Sequence, residues 1–306
     1  MTVSEYMSQW IELRAAALAP RTLECYRDQL RLHIAPAIGS RKLSALKPEH
    51  VSRLLSDLRA AGKSRTAQLC FILVRAVMDA AVRDRRIRRN PCDALTPPRH
   101  RQAPPKWWTP DELRTFLSAS RHSPFYAAWQ LALCCGLRRG ELIGLRWVDV
   151  DRTAALLRIR NQRQRITGVG MIDAPPKSES GIRDIPIPSG LLQILDEHAI
   201  SQQAAALLRR EPPPAYVITT KTGKPISPEA IADALAADIE AAAVRPISLH
   251  GLRHSMATLA VSLGVSMRVL QTILGHSSYS TTANIYTHVL HTDQAEALDK
   301  INRGMV

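Results

Sequence analysis

Apolar residues along the first third of the chain recur at helical spacing. Tyr6, Trp10 and Leu13 give a first stripe, ended around Ala19 and Pro20. Pro20, Arg21 and Thr22 open a second helix with Leu23, Tyr26, Leu30 and Leu32. Further helices begin near Pro48 (Val51, Leu54, Leu55, Leu58) and near Ser64 (Leu69, Leu73, Val77, Ala81), with Gly62 between them. Residues 1–95 therefore read as an all-helical domain. The stretch from Leu95 to Trp108 is proline-rich, basic and aperiodic, so a semi-rigid linker is expected over 96–108. Thr109-Pro110-Asp111-Glu112 then spells a capping box with proline at the first helical position, and a second domain, 109–306, starts there.

That domain opens with helices over about 110–119 and 124–135, the second stopped by Gly136. Residues 136–147, GLRRGELIGLRW, predict another helix with Leu137, Leu142 and Leu145 facing inward. Alternation over 154–160, about 168–174 and 182–187 predicts the short strands of one small antiparallel sheet. The turn Pro175-Pro176-Lys177-Ser178-Glu179-Ser180-Gly181, before the last strand, is hydrophilic. From Ser189 helices return, with a brief strand at Tyr216–Thr220 and an alanine-rich helix over about 228–243. The fold class expected is mainly α with a small antiparallel β-sheet, without internal repeats.

The chemistry concentrates between Leu249 and Val289. Met256, Leu259, Ala260 and Leu263 predict a helix up to Gly264; Ser266 caps a second, with Val269, Leu270, Ile273 and Leu274 as its stripe and Gly275 as its stop. His250 and Arg253 stand at the start of the first helix, His276 just beyond the second, and Tyr286 further on. Side chains at helix ends converge readily on one ligand, and phosphate is the natural one.

Charge narrows the partner. The 306 residues have 41 Lys and Arg against 27 Asp and Glu, a formal net charge of +14, which points to nucleic acid. The run Arg83, Arg85, Arg86, Arg88 and Arg89 is its densest part and reads as contacts to the DNA backbone. Five scattered cysteines give neither a metal-ligand spacing nor a C-x-x-C pair, so reduced thiols are expected. Gly62-Lys63-Ser64 is not a P-loop, because Asp57 occupies the place of its first glycine. No apolar run suits a membrane span and the N-terminus has no secretory pattern, so a cytoplasmic, nucleoid-associated protein is expected.

Together these residues resemble a tyrosine recombinase of the phage integrase family. GLRRGEL at 136–142 is similar to the family's first arginine box, LHGLRHSMAT at 249–258 to its H-x-x-R box, and LGHSS at 274–278 with NIYTHV at 284–289 to its final box. The helical first hundred residues resemble its core-binding domain. Gly251 departs from the family's usual Asp, a loss expected to loosen the helix start by about 0.5–1 kcal/mol. The extra arm-binding domain of some integrases is not expected in this sequence.

The resemblance implies transesterification of a DNA phosphodiester. Tyr286 attacks phosphorus to give a 3′-phosphotyrosine and a free 5′-hydroxyl, with Tyr279 as the competing candidate. The link conserves bond energy, so no ATP and no cofactor is needed. A phenol of pKa about 10 is only about 0.1% ionised at pH 7, which costs about 4 kcal/mol, so the site must supply a proton acceptor and charge stabilisation. By the family's pattern Arg138 (not Arg139) and Arg253 clamp the non-bridging oxygens. His250 helps accept the tyrosine proton, His276 hydrogen-bonds the phosphate, and Lys177 protonates the departing 5′-oxygen. Glu141, one helical turn from Arg138, orients that arginine. His250 and His254 have the spacing of zinc-protease ligands, but Gly251 stands where that motif needs glutamate, so no metal is expected.

The expected partner is double-stranded DNA clamped between the two domains, with a homotetramer on paired sites and no membrane association. Ala295, Leu298 and Ile301 suit the tail for docking on a neighbour. The rival readings are a type IB-like topoisomerase and a catalytically silent DNA-binding protein of the same fold.

Overall fold

The structure is a computed structural model that describes residues 1–100, 106–176 and 178–275. It divides into two units, Met1–Ala103 with Ile166–Gly168, and Pro104–Arg165 with Val169–Val306.

In the first unit, α1 (Val3–Leu13) starts on a capping box in which Thr2 Oγ1 accepts from the Glu5 N–H and Glu5 returns the bond to the Thr2 N–H. α2 (Pro20–Gln29) runs into a π-helical segment, Leu30–Gly39, which the sequence pattern did not foretell. Pro36 lies inside it, and a wider winding is compatible with its missing N–H. α3 (Pro48–Ala60) and α4 (Ser64–Arg83) complete the unit around a core that includes Val3, Met7, Ile11, Ile34, Val51 and Val74. Of the expected first stripe, Tyr6 is buried and Trp10 packs against the core. Val3, Met7 and Ile11 follow one another every fourth residue and are buried, whereas Leu13 at the helix end and Leu32 in the π-helical turn are exposed. Only Arg83 of the arginine run is helical. Arg85, with φ 55°, turns the chain, and all five arginines are exposed. The Tyr6 hydroxyl donates to Asp84 at 2.6 Å, which anchors the base of this run on α1.

The second unit begins with α5 (Pro110–Ala119), α6 (Tyr126–Cys135) and α7 (Arg139–Gly144). Five short strands follow: β1 (Val150–Asp151), β2 (Leu156–Ile159), β3 (Gln162–Ile166), β4 (Gly170–Ala174) and β5 (Arg183–Pro186). They form two sheets where one was expected. β1, β2 and β5 make an antiparallel three-stranded sheet, with Val150 opposite Leu157 and Ile159 opposite Arg183, while β3 and β4 pair separately. The brief strand expected at Tyr216–Thr220 is reduced to isolated bridges, Arg146 with Tyr216 and Thr219 with Pro225. Among the described residues, helices α8 (Ser189–Leu208), α9 (Pro228–Ala241), α10 (Leu249–Ser262) and α11 (Met267–Leu274) follow.

Trp108, Phe116, Trp129, Leu142, Leu157, Leu195 and Leu252 belong to one core. Trp108 fixes the entry to α10. Its backbone N–H donates to Ser255 Oγ at 2.8 Å, its indole N–H donates to the Arg245 carbonyl at 2.7 Å, and its ring lies 4.7 Å from Phe116. The stripe expected on α10 is displaced: Leu263 is exposed, Met256, Leu259 and Ala260 are half-buried, and Leu252, Arg253, Ala257 and Val261 face inward. Ala257 and Val261 instead join Leu270 and Leu274 of α11 in a small core of their own. Val269 of α11 is likewise exposed. Among the described residues no helix is long and apolar enough to cross a membrane.

Trp108→Ala removes a fully buried ring and the indole hydrogen bond to the Arg245 carbonyl, and is expected to destabilise the second unit by about 3–5 kcal/mol. Leu13→Ala, at a side chain already in water, is expected to stay within about 0.5 kcal/mol of the parent. Urea unfolding followed by circular dichroism checks both.

Candidate active site

α11 ends at Gly275, which takes the left-handed conformation at φ 62°. The last carbonyls of a helix have no partner within it and carry the negative end of its dipole, so cations gather there. Here three arginines take three successive carbonyls. Arg183 Nε donates to Ile273 at 2.7 Å, Arg253 Nη2 to Leu274 at 2.6 Å, and Arg138 Nη2 to Gly275 at 2.7 Å. A side chain at 275 would meet the Ser180 carbonyl at 2.6 Å and the Arg183 guanidinium at 3.0 Å, so this close approach also needs glycine.

Each arginine comes from a different element. Arg138 immediately precedes α7, and its backbone N–H and Nη1 donate to the two oxygens of Glu141 at 2.9 and 2.8 Å. Its side chain is the accessible one of the three, 37% exposed. Arg253 lies on the inner face of α10 and also donates to the Gly136 carbonyl at the end of α6, at 2.6 Å. Arg183 opens β5, with Ile185 on the same inward face. It meets Glu141 in a two-pronged ion pair, Nη2 to Oε2 at 2.9 Å and Nη1 to Oε1 at 3.1 Å, and donates to the Gly181 carbonyl at 3.0 Å.

Glu141 is therefore buried between two guanidiniums and accepts four hydrogen bonds. Burial acts to raise its pKa, but the bonds from Arg183 and then Arg138 outweigh it, and the carboxyl ends below its ordinary value of 4.5. Glu141 is thus ionised at neutral pH and is no proton donor. Removing one partner of a buried pair of this kind typically costs about 3–5 kcal/mol, because the other charge is stranded.

His250 is the second residue of α10, open to solvent on its outer side. The protein packed behind the ring, with Arg253 and Arg138, pushes its pKa below 6.5, so it is neutral at pH 7 and has a nitrogen able to accept a proton. His254 packs edge-on against it with ring centroids 4.4 Å apart, and burial pushes His254 down to about 4. The helix start at Gly251 keeps a side-chain cap. Ser248 caps it by accepting from the Gly251 N–H, and a side chain at 251 would come within 3.0 Å of the Lys106 carbonyl and 2.9 Å of Ile247.

Of the residues expected to act together, Arg138, Glu141, His250 and Arg253 converge here. Lys177, His276 and Tyr286 lie outside the described residues, as does the tail with Ala295, Leu298 and Ile301. Arg83, Arg85, Arg86, Arg88 and Arg89 belong to the first unit. Arg183 was not expected. Its signal was present, since alternation along Arg183–Ile187 puts a charged residue on the same face as Ile185 and Ile187, where only a partnered arginine is tolerated.

Comparison with known proteins places the chain in a family. Residues 106–293 match the model of the phage integrase family, and residues 3–97 match the phage integrase central domain. A tyrosine recombinase XerC-like protein of Caldanaerobacter subterraneus is 28% identical over 99% of this chain and 83% of its own length. The Tn1549 transposon integrase, solved with a circular intermediate DNA, superposes with a TM-score of 0.79 at 24% identity, over 94% of this chain and 95% of its own. The lambda integrase tetramer bound to a Holliday junction gives 0.70 at 18% identity, over 93% and 77%. The chain belongs to the phage integrase family and is a tyrosine recombinase, a DNA strand transferase.

Proposed function

We propose that the protein cuts and rejoins double-stranded DNA at specific sites through a 3′-phosphotyrosyl link on Tyr286. The observation that supports this reading most is the convergence of Arg138 and Arg253 on the end of α11, with neutral His250 near both arginines and His276 next in sequence after Gly275. Arg138 is partly open to solvent, planar and permanently charged, so it can grip a phosphate oxygen with N–H groups not turned to Glu141 or Gly275. Arg253 brings a second positive charge to the same place. Both oppose the charge that gathers on the non-bridging oxygens as Tyr286 attacks, and His250 takes the phenol proton. Lys177 protonates the departing 5′-oxygen. The exchange conserves bond energy and calls for no cofactor. Four protomers on two sites complete it, a reading supported by the lambda integrase tetramer on its junction.

Tyr286→Phe keeps the ring and removes one oxygen. It is expected to abolish the covalent protein–DNA adduct on a nicked suicide duplex with little change in DNA affinity. Lys177→Ala is expected to regain cleavage on a 5′-bridging phosphorothiolate, whose leaving group needs no proton. Peptide mapping of the wild-type adduct decides the nucleophile, and DNA found on Tyr279 would overturn the assignment.

Binding is expected to weaken with salt, log affinity falling by about 0.9 per phosphate neutralised for each unit of log concentration. Replacing Arg85, Arg86, Arg88 and Arg89 by Ala should flatten that slope in filter-binding titrations. An unchanged slope would remove these arginines from the DNA interface.

Truncation before His291 is expected to leave binding to one site intact and to abolish pairing of two sites in native gels. Full recombination by the truncated chain would exclude the tail from assembly.

A further inference from the structure

We infer that Arg183 is a positioning residue for strand cleavage, a role that rests on the proposed phosphate-binding function of Arg138. Arg183 touches no phosphate in this reading. It acts through the groups it holds.

Four of its hydrogen bonds reach three parts of the site. Two go to the Glu141 carboxylate, one to the Ile273 carbonyl and one to the Gly181 carbonyl. Glu141 in turn holds both the backbone N–H and the guanidinium of Arg138. Ile273 lies in the last turn of α11, two residues before Gly275, whose carbonyl accepts from Arg138. Gly181 ends the turn that follows Lys177 in sequence. One buried guanidinium therefore sets two distances, from Glu141 to the end of α11 and from that end to Gly181, and through Glu141 it sets the stance of Arg138.

Two features argue that this is more than a structural tie. Arg183 is almost wholly buried, and a buried ion pair seldom stabilises a fold better than a well-packed apolar pair of similar volume. Its planar fork is also matched to two directions that lysine cannot serve together: the carboxylate through both terminal nitrogens, and the helix carbonyl through Nε. Glu141 depends on this partner to stay ionised against its own burial. A protonated Glu141 would lose its hold on the Arg138 guanidinium. Displacing a catalytic cation by about 1 Å can cost on the order of 100-fold in rate.

The test compares Arg183→Met, Arg183→Lys and the double variant Glu141→Met/Arg183→Met with the wild-type protein. The double variant replaces the pair by apolar groups and keeps the test valid if the single change unfolds the chain. Single-turnover adduct formation is measured across pH 5–8 on a nicked duplex carrying the crossover site mapped beforehand with wild-type protein. DNA affinity is measured alongside. Arg183→Met and the double variant are expected to lose on the order of 100-fold in cleavage rate while binding DNA within about threefold of wild type. In Arg183→Met the acid limb of the rate profile should move to higher pH, matching the Glu141 carboxyl followed by carbon-13 NMR. Arg183→Lys should return that limb towards the wild-type position while restoring only part of the rate. The double variant, lacking the carboxyl, should show no such shift. Wild-type cleavage by both Met variants would overturn the inference, as would a loss of rate tracking DNA affinity with an unmoved pH profile. Arg138→Ala is the control. If it cleaves normally, the function proposed for Arg138 fails as well; if it is inactive while the Arg183 variants cleave normally, only this inference fails.

Discussion

Three consecutive carbonyls at the end of α11 each accept a hydrogen bond from a different arginine, and the site depends on that arrangement. A helix end left unpaired in the protein interior is costly, and so is a buried guanidinium without an acceptor. Each defect satisfies the other. The donors come from the segment before α7, from the inner face of α10 and from the first residue of β5, so three elements distant in sequence are fixed to one turn of helix. Glu141 closes the network by neutralising part of the positive charge that would otherwise push Arg138 and Arg183 apart.

The same arrangement accounts for the division of labour among the three. Arg183 is committed to carboxylate and carbonyls, and Arg253 is buried against two helix ends. Arg138 is held from both sides yet remains partly open to solvent. A cation fixed in this way needs little rearrangement when negative charge develops beside it, which is what electrostatic catalysis requires. The neutral state of His250 has the same origin, since the protein behind it and the neighbouring arginines disfavour a further positive charge.

Much of this was legible in the sequence where local rules dominate. The Thr109 capping box, the Gly136 and Gly275 stops and the Ser266 cap are set by neighbouring residues, and the helices begin and end at them. Arg138, Glu141, His250 and Arg253 could be picked out only as a set of spaced motifs, since in the sequence each alone reads as an ordinary surface residue. Sequence reading failed where burial is decided at long range. On α10 the inward face includes Arg253, His254, Ser255 and Thr258, polar residues that an apolar-stripe rule assigns to solvent, while Leu263 is left exposed. Arg183 was missed for the same reason, because its partners Glu141 and Ile273 lie far away along the chain. The split into two sheets rests on pairing rather than on alternation, and alternation alone cannot show it.

The central claim is the proposal that Arg138 and Arg253 serve the negative charge of a phosphate in its transition state. It is tested most directly with a nicked duplex in which the scissile phosphate is replaced by a methylphosphonate, which removes the charge of one non-bridging oxygen. Arg138→Ala should be severely impaired on the natural phosphodiester yet form the Tyr286 adduct on the neutral substrate at a rate approaching that of the wild-type protein. Equal impairment on both substrates would mean that Arg138 serves the fold rather than the charge, and would contradict the account.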